Sequence, residues 1–380
     1  MKLRPIKIMT VVGTRPEIIR LSRIISRLNT SDIIQNILVH TGQNYDFNLN
    51  QIFFDELNIP KPNYFLDAAG TNSVETIGKI LIKVDGLIEK IKPDAFLVLG
   101  DTNSCLSAIA AKKKKIPIFH IEAGNRCFDQ CVPEETNRKL VDHLADINLT
   151  YSNISREYLI SEGLPADQII KIGSPLFEVL NHYSTQIKKS KVLIDLKLKR
   201  NKYFLVSSHR EENIENTEKF YDLIESLNEL AKVYLIPIVV STHPRTKKQI
   251  KALNIKTHSL IRWLPPQGFF AYNKLQKNAF VVISDSGSIS EESSILNFKA
   301  LNIRESHERP EAMEEASVMM VGLKKERILQ GIEMVKNQNI KERDFTIVQD
   351  YSKPNVSLKV ERILLSYIDY INKKVWKKES

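Results

Sequence analysis

The chain reads as α/β, with two doubly wound parallel-sheet domains in tandem. Three observations predict this. Apolar β-type runs alternate with helical patterns almost throughout. Two short segments in separate halves, Gly13-Thr14-Arg15-Pro16-Glu17 and Asp285-Ser286-Gly287-Ser288, each follow an apolar run and open a helical pattern. Finally, 380 residues are enough for two domains, each with its own core.

In the first half, strands are expected at 6–12, 34–40, 95–99, 116–121, 147–149 and 169–172, with helices over 75–91 and 134–144 between them. In the second half, strands are expected at 203–207, 237–241, 280–284 and 300–303, with helices near 218–230, 268–277 and 288–296. This is the βαβ rhythm of parallel sheets, twice over. The first domain is expected over 1–175 and the second over 176–355. The amphipathic pattern at 356–376 has no strand after it and is expected to pack back on the first domain. Turns between a strand and a helix aim backbone N–H groups and a helix dipole at an anion, so two of them suggest domains facing one another across a shared anionic ligand.

A net charge of +10 admits nucleic acid, a membrane surface or small anions as partners. The lysines are scattered, however, and the one dense run, Lys112 to Lys115, reads as a solvated helix end. No aromatic-interleaved basic stripe suggests nucleic acid. No apolar run approaches the roughly 20 residues that span a bilayer. The opening residues show no signal-peptide core, so a cytoplasmic location is expected. Cys105, Cys127 and Cys131 are an odd set, read as reduced thiols, and Cys127 with Cys131 lacks a second pair to complete a metal site. No G-x-G-x-x-G, D-x-D or P-loop pattern occurs, which removes support for a dinucleotide cofactor, a metal-dependent sugar transferase and an NTPase in turn.

Arg15 sits in the first βα turn with Arg20 one helical turn beyond it. Two guanidinium groups near a positive helix end suit a diphosphate, because their fork geometry offers paired bonds. In the second turn, Ser286 and Ser288 flank Gly287, which admits close backbone approach. Glu291 reads as the partner of Ser288 in a capping box, leaving Glu292 as the candidate for ribose hydroxyls. Acidic and imidazole groups also gather at strand ends: Asp101, His120, Glu122, Glu134, Glu135 and His209. Acid–base chemistry needs such groups in environments that split their affinities for protons.

Eight segments together are specific: Gly13-Thr14-Arg15-Pro16-Glu17, Gly100-Asp101-Thr102, His120-Ile121-Glu122-Ala123-Gly124, Pro133-Glu134-Glu135-Thr136-Asn137-Arg138, Ser208-His209-Arg210, Asp285-Ser286-Gly287, Glu291-Glu292 and Glu308-Arg309-Pro310-Glu311. In that order, across nearly the whole chain, they resemble the non-hydrolysing UDP-N-acetylglucosamine 2-epimerase family. The resemblance implies a GT-B-like fold of two Rossmann-like domains with a cleft between them, a UDP-sugar substrate and no cofactor. It implies that Asp101, Glu122 and Glu134 are the catalytic acids and bases, with His209 also important. It further implies that Arg15, Ser286, Gly287, Glu292 and Arg309 hold the UDP.

Departures narrow the expectation. Asn125-Arg126-Cys127-Phe128-Asp129-Gln130 replaces the family's usual Leu-Arg-Thr, Arg20 replaces a lysine, and a Gln-His pair tied to allosteric activation reads Gln43-Asn44. The segment Asn125 to Gln130, with Gly173-Ser174-Pro175, resembles the branch that makes UDP-N-acetyl-L-fucosamine from UDP-2-acetamido-2,6-dideoxy-L-talose for capsule or O-antigen. The alternatives are a UDP-GlcNAc 2-epimerase forming UDP-ManNAc, a GT-B glycosyltransferase, and a nucleotide-sugar sensor without turnover. A homodimer is expected through an exposed face of the 75–91 helix.

Overall fold

The computed structural model describes residues 4–43, 47–208, 210–214, 216–242 and 244–378. The chain begins β1 (Ile6–Val12), α1 (Arg15–Asn29), β2 (Ile34–His40), α2 (Phe47–Glu56), β3 (Tyr64–Phe65), α3 (Ser73–Ile91) and β4 (Ala95–Leu99). There follow α4 (Ala108–Lys113), β5 (Ile118–Ala123), α5 (Pro133–Leu144), β6 (Ile147–Thr150), α6 (Asn153–Ser161), β7 (Ile169–Lys171) and α7 (Leu176–His182). The second stretch holds α8 (Ser184–Lys189), α9 (Val192–Asp195), β8 (Phe204–Ser207), α10 (Glu211–Ile214), α11 (Thr217–Tyr234), β9 (Ile238–Ser241), α12 (Pro244–Ala252) and β10 (Ile261–Leu264). It closes with α13 (Phe269–Asn278), β11 (Val281–Ser284), α14 (Ile289–Leu296), β12 (Ala300–Asn302), α15 (Pro310–Glu314), β13 (Met319–Met320), α16 (Lys325–Val335) and α17 (Val356–Lys374).

Two compact units result, each Rossmann-like. One runs to His182 and resumes at Asp350; the other spans Tyr183–Gln349. The sequence expectation set these divisions at 175/176 and 355/356. The chain goes on past Pro175 in the first unit because α7 is tied to α17, with Glu178 accepting from Ser357 N at 2.8 Å. The return starts at Asp350, whose carbonyl accepts from Ser174 N at 2.9 Å.

In the first unit seven strands pair in the order β3-β2-β1-β4-β5-β6-β7, all parallel. A parallel sheet needs helices on both faces, so its central strands read as near-continuous apolar runs. Met9, Val11, Phe96 and Val98 pack with Ile80, Val84 and Ile88 of α3 in one core. On α1, Ile18, Leu21, Ile25 and Leu28 are buried, and α17 buries Val360, Leu364, Ile368 and Ile371. The second unit's six strands run β10-β9-β8-β11-β12-β13, again all parallel. Phe204, Val206 and Ile283 face a core with Phe220 and Leu227 of α11 and Ile332 of α16, while Leu205 and Val282 face Leu275 and Ile289. The alternation along one strand thus feeds two cores.

Strand order reverses direction between β1 and β4 in the first sheet and between β8 and β11 in the second. Ligands of open α/β sheets bind at the carboxyl edge beside such a reversal. The strands not expected from sequence, β3, β10 and β13, are all edge strands. Among the described residues, no helix is long and apolar enough to cross a membrane. Lys112 departs from its expectation as a solvated helix end. It pairs with Asp146 at 2.6 Å and lies 5.0 Å from the ring centre of Trp376.

Replacing Leu364, fully buried on α17, with Ala should destabilise the first unit by about 2–5 kcal/mol. In urea unfolding followed by amide exchange, the Tyr183–Gln349 unit should keep its wild-type protection.

Candidate active site

The turn after β1 holds its own anion. Glu17, 1% exposed, turns its carboxylate back over the helix start. Oε2 accepts from Gly13 N and Thr14 N at 2.6 Å each and from the Thr14 hydroxyl at 3.1 Å. Oε1 accepts from the Thr102 hydroxyl at 2.6 Å, which links β1 to the turn after β4. Two amide donors expected to face a ligand are therefore occupied, and the turn is locked from within. Burial pushes the Glu17 carboxyl above its usual range, against the pull of the bonds from Thr102, Gly13 and Thr14. Arg15, the first residue of α1, is half-buried with its guanidinium 5.9 Å from the Phe53 ring centre.

Arg20 points elsewhere than at the helix start. It is buried, 3.4 Å from Glu122 Oε2 and 5.8 Å from the ring centre of Tyr151. The structure thus brings two of the expected site residues into one ion pair. Glu122 itself has a φ of 68°, a left-handed conformation that costs a non-glycine residue about 1–3 kcal/mol. It stands at an irregularity in β5, where the pairing with β6 shifts between Ile121 and Ala123. Such a bulge re-aims a side chain that a regular strand would send to the sheet face.

Asp101 follows β4, next to β5 in the sheet. Arg138 of α5 forks onto its Oδ2 at 2.6 and 3.1 Å, and Asn137 Nδ2 donates to its carbonyl at 2.9 Å. Glu134 lies in the first turn of α5, half-buried, and has no ion pair or hydrogen bond with any described residue. Its neighbour Glu135 is fully buried and accepts from Cys127 N at 3.1 Å and Phe128 N at 3.3 Å. Burial opposes charge there, but the bonds from Cys127 and the nearby Arg138 and Lys139 hold its carboxyl below the usual range. Asp101, Glu122, Glu134 and Arg15 all stand at the carboxyl edge of the first sheet, beside its reversal.

In the second unit, Asp285 opens the turn after β11 and is fully buried. Its Oδ2 accepts from Ser208 Oγ at 2.9 Å, Arg210 N at 3.1 Å and Asn213 Nδ2 at 3.1 Å, joining the turns after β8 and β11. Ser286 Oγ lies 3.0 Å from Ser288 Oγ. A Cβ on Gly287 would collide with Glu308 Oε1, the atom that accepts from Arg304 at 2.9 Å and Arg210 at 3.1 Å. Any larger residue there would have to push that carboxylate off its arginine partners. The capping box expected from Ser288 to Glu291 does not form; Ser288 makes no side-chain cap bond, and buried Glu291 pairs with Arg309 at 3.1 Å. Glu292 accepts from Gln276 Nε2 at 2.5 Å. His209 lies outside the described residues.

Sequence reasoning missed Glu17, Arg138, Asp142, Glu308 and Gln276 as parts of this framework. One signal was available for three charged residues of α5, since Glu135, Arg138 and Asp142 fall on that helix's buried stripe with Val141. All three cysteines are free, and among the described residues no group of three or more His, Cys, Asp or Glu could hold a metal ion.

A family model described as UDP-N-acetylglucosamine 2-epimerase matches residues 26–365. The structure of a UDP-N-acetylglucosamine 2-epimerase from Rickettsia bellii is 49% identical, with a TM-score of 0.91 over 99% of this chain and 100% of that one. The Methanocaldococcus jannaschii UDP-GlcNAc 2-epimerase, solved in complex with UDP-GlcNAc and UDP, is 34% identical with a TM-score of 0.89 over 95% of this chain and 100% of that one. A UDP-2,3-diacetamido-2,3-dideoxy-D-glucuronate 2-epimerase of Pseudomonas aeruginosa is 31% identical over 86% of this chain and 91% of its own length.

The locked turn has a pH signature. Because the Glu17 carboxyl is raised above 4.5 in the folded state, the folded chain holds that proton more tightly than the unfolded chain does. Its stabilisation is complete below pH 4.5 and is lost as pH rises through the folded value. The stability of wild type relative to Glu17→Gln should therefore fall as pH rises from about 4 to 7 in urea titrations. A difference that stays flat or grows would refute the assignment.

Proposed function

The chain belongs to the UDP-N-acetylglucosamine 2-epimerase family and is a nucleotide-sugar 2-epimerase, and from that premise we propose that it converts UDP-2-acetamido-2,6-dideoxy-L-talose to UDP-N-acetyl-L-fucosamine. The observation that carries the chemistry is Glu122, held in a strained bulge at the carboxyl end of β5 with Arg20 at 3.4 Å. The substrate reading rests on the segment Asn125 to Gln130. There Phe128, 66% exposed, packs edge-on to Tyr158 at 5.3 Å and offers an apolar surface suited to a C6 methyl.

C2 of an N-acetylamino sugar has no adjacent carbonyl, so a carbanion there lacks a resonance sink. The economical route removes the C2 proton while the C1–O bond to UDP breaks, and the C2–H electron pair becomes the C1=C2 bond of a glycal. UDP then returns to C1 and a proton reaches C2 from the opposite face, so no net oxidation occurs and no redox cofactor is consumed. Glu122 and Glu134 are the pair for the C2 proton traffic, with Asp101 tuning one of them. Arg15, His209 and the Ser286-Gly287-Ser288 turn stabilise the departing diphosphate, and Glu292 and Arg309 help hold the UDP. The product serves capsule or O-antigen synthesis in the cytoplasm. The enzyme works as a homodimer through the α3 face that exposes Val74 and Ile82.

The second reading is a UDP-GlcNAc 2-epimerase, favoured by the name of the Rickettsia bellii relative at 49% identity. An apolar surface alone rejects an added hydroxyl only about 100-fold, so substrate profiling decides. In D₂O, proton NMR should show deuterium entering C2 of UDP-N-acetyl-L-fucosamine together with the talo epimer. Exchange in UDP-GlcNAc with UDP-ManNAc formed would establish the second reading instead, and no exchange in either would refute epimerisation of both. Glu122→Gln should lower kcat by about 10²–10⁴ with UDP affinity intact; loss of binding alone would refute its role in proton transfer.

A further inference from the structure

We propose that Asp142 is a positioning residue that sets the backbones carrying Asp101 and Glu122 relative to each other, an inference that rests on the epimerase reading above. Asp142 lies on α5 and is fully buried. Its Oδ1 is 2.9 Å from His120 Nδ1, and Arg126 Nη1 donates to its Oδ2 at 2.7 Å. The backbone N–H of Gly124 donates to the same carboxylate at 3.2 Å. His120 continues the link, since its Nε2 is 2.7 Å from the carbonyl of Gly100, the residue before Asp101. A carbonyl only accepts, so Nε2 carries a proton there.

The two segments are also tied directly, because Gly100 N donates to the Ile121 carbonyl at 2.9 Å. Glu122 is thus bracketed. The carbonyl before it is bound by Gly100, and the second N–H after it is bound by Asp142. Strained backbone persists only where its surroundings over-determine it, and here the bracket supplies that determination. Gly124 shows how tight it is: φ is 79°, and an added Cβ would meet the Ser155 carbonyl oxygen.

The same helix reaches Asp101 a second way, through Arg138, one turn before Asp142. One rigid element therefore holds the Asp101 turn and the bulge that carries Glu122. Asp142 is the only one of its charged residues whose carboxylate meets both bracketing segments, the bulge through Gly124 and the Asp101 turn through His120. Rigid elements hold reacting groups more closely than loops do, and a shift of about 1 Å can cost 100-fold in rate.

Glu162 provides the contrast. It accepts a fork from the far side of Arg126 at 2.6 and 2.7 Å and lies 3.2 Å from His143, but it touches neither Gly100 nor Gly124. A merely structural role for the buried charges would make activity follow stability across variants at both ends.

The test compares Asp142→Asn, His120→Gln, His120→Ala and Glu162→Gln in the full chain, with steady-state epimerisation, UDP calorimetry, thermal melts and amide exchange at Gly100 and Gly124. Asp142→Asn should lower kcat by roughly 30–100-fold with KM and UDP affinity changed less than about 3-fold. Its Gly124 amide should exchange faster. His120→Gln keeps a donor at the position of Nε2 and should recover part of kcat relative to His120→Ala. Glu162→Gln should lose Tm with kcat within about 2-fold. If Asp142→Asn keeps wild-type kcat, or if Glu162→Gln loses as much activity for the same loss of Tm, the proposal is overturned. Wild type that turns over no UDP-sugar would sink the epimerase reading, and unchanged Gly124 and Gly100 exchange in Asp142→Asn would separately sink this one.

Discussion

Buried charge must be paired, and in this protein that requirement organises the functional edge of both sheets. An ionised side chain taken out of water costs several kcal/mol unless partners replace its hydration. Glu17, Asp142, Glu135, Asp285 and Glu291 are each buried at 1% exposure or less, and each is met by donors from a neighbouring turn. Glu17 is met by the turn after β4, Asp285 by the turn after β8, and Glu291 by Arg309 at the start of α15. The carboxylates thus convert a row of separate strand-to-helix turns into joined frameworks, one in each unit. Such pairs add little net stability over an apolar core, but breaking one by removing a partner is costly.

Parallel topology makes those frameworks possible. Every strand in each sheet points the same way, so the turns after β1, β4 and β5 share one edge, as do those after β8 and β11. Chemistry-bearing residues far apart in sequence arrive together without any long-range motif. The same topology explains the role of α5. Crossing back beside β5, it presents Glu135, Arg138 and Asp142 in successive turns to three segments, the 127–128 loop, the Asp101 turn and the Glu122 bulge.

Much of this was legible in the sequence, and the limits have physical causes. The central strands declared themselves because burial on both faces leaves unbroken apolar runs; β1, β2 and β4 fall where expected, at 6–12, 34–40 and 95–99. The edge strands did not, since β3 and β13 have two residues each and sit half in solvent. The strand-to-helix turns were legible, but their occupants were not. Glu17 fills the donors that a ligand was expected to use. Arg20 read as a second phosphate guanidinium because it lies one turn from Arg15, yet its length carries it to Glu122. Which partner a long side chain chooses depends on neighbours from other strands, and local spacing holds no record of them. The strain at Glu122 is similarly invisible, for a bulge is a property of the pairing between β5 and β6.

The return of α17 to the first unit has a consequence for the order in which the molecule is made. Synthesis proceeds from the amino end, and domains generally fold as units as they emerge. Here the first unit encountered by the ribosome lacks its closing helix until residues 350 and beyond have been translated. The contiguous unit from Tyr183 to Gln349 has all its strands earlier than that. The nascent chain therefore completes its second unit first and its first unit last. During that interval the face of α1 that α17 packs on awaits its cover.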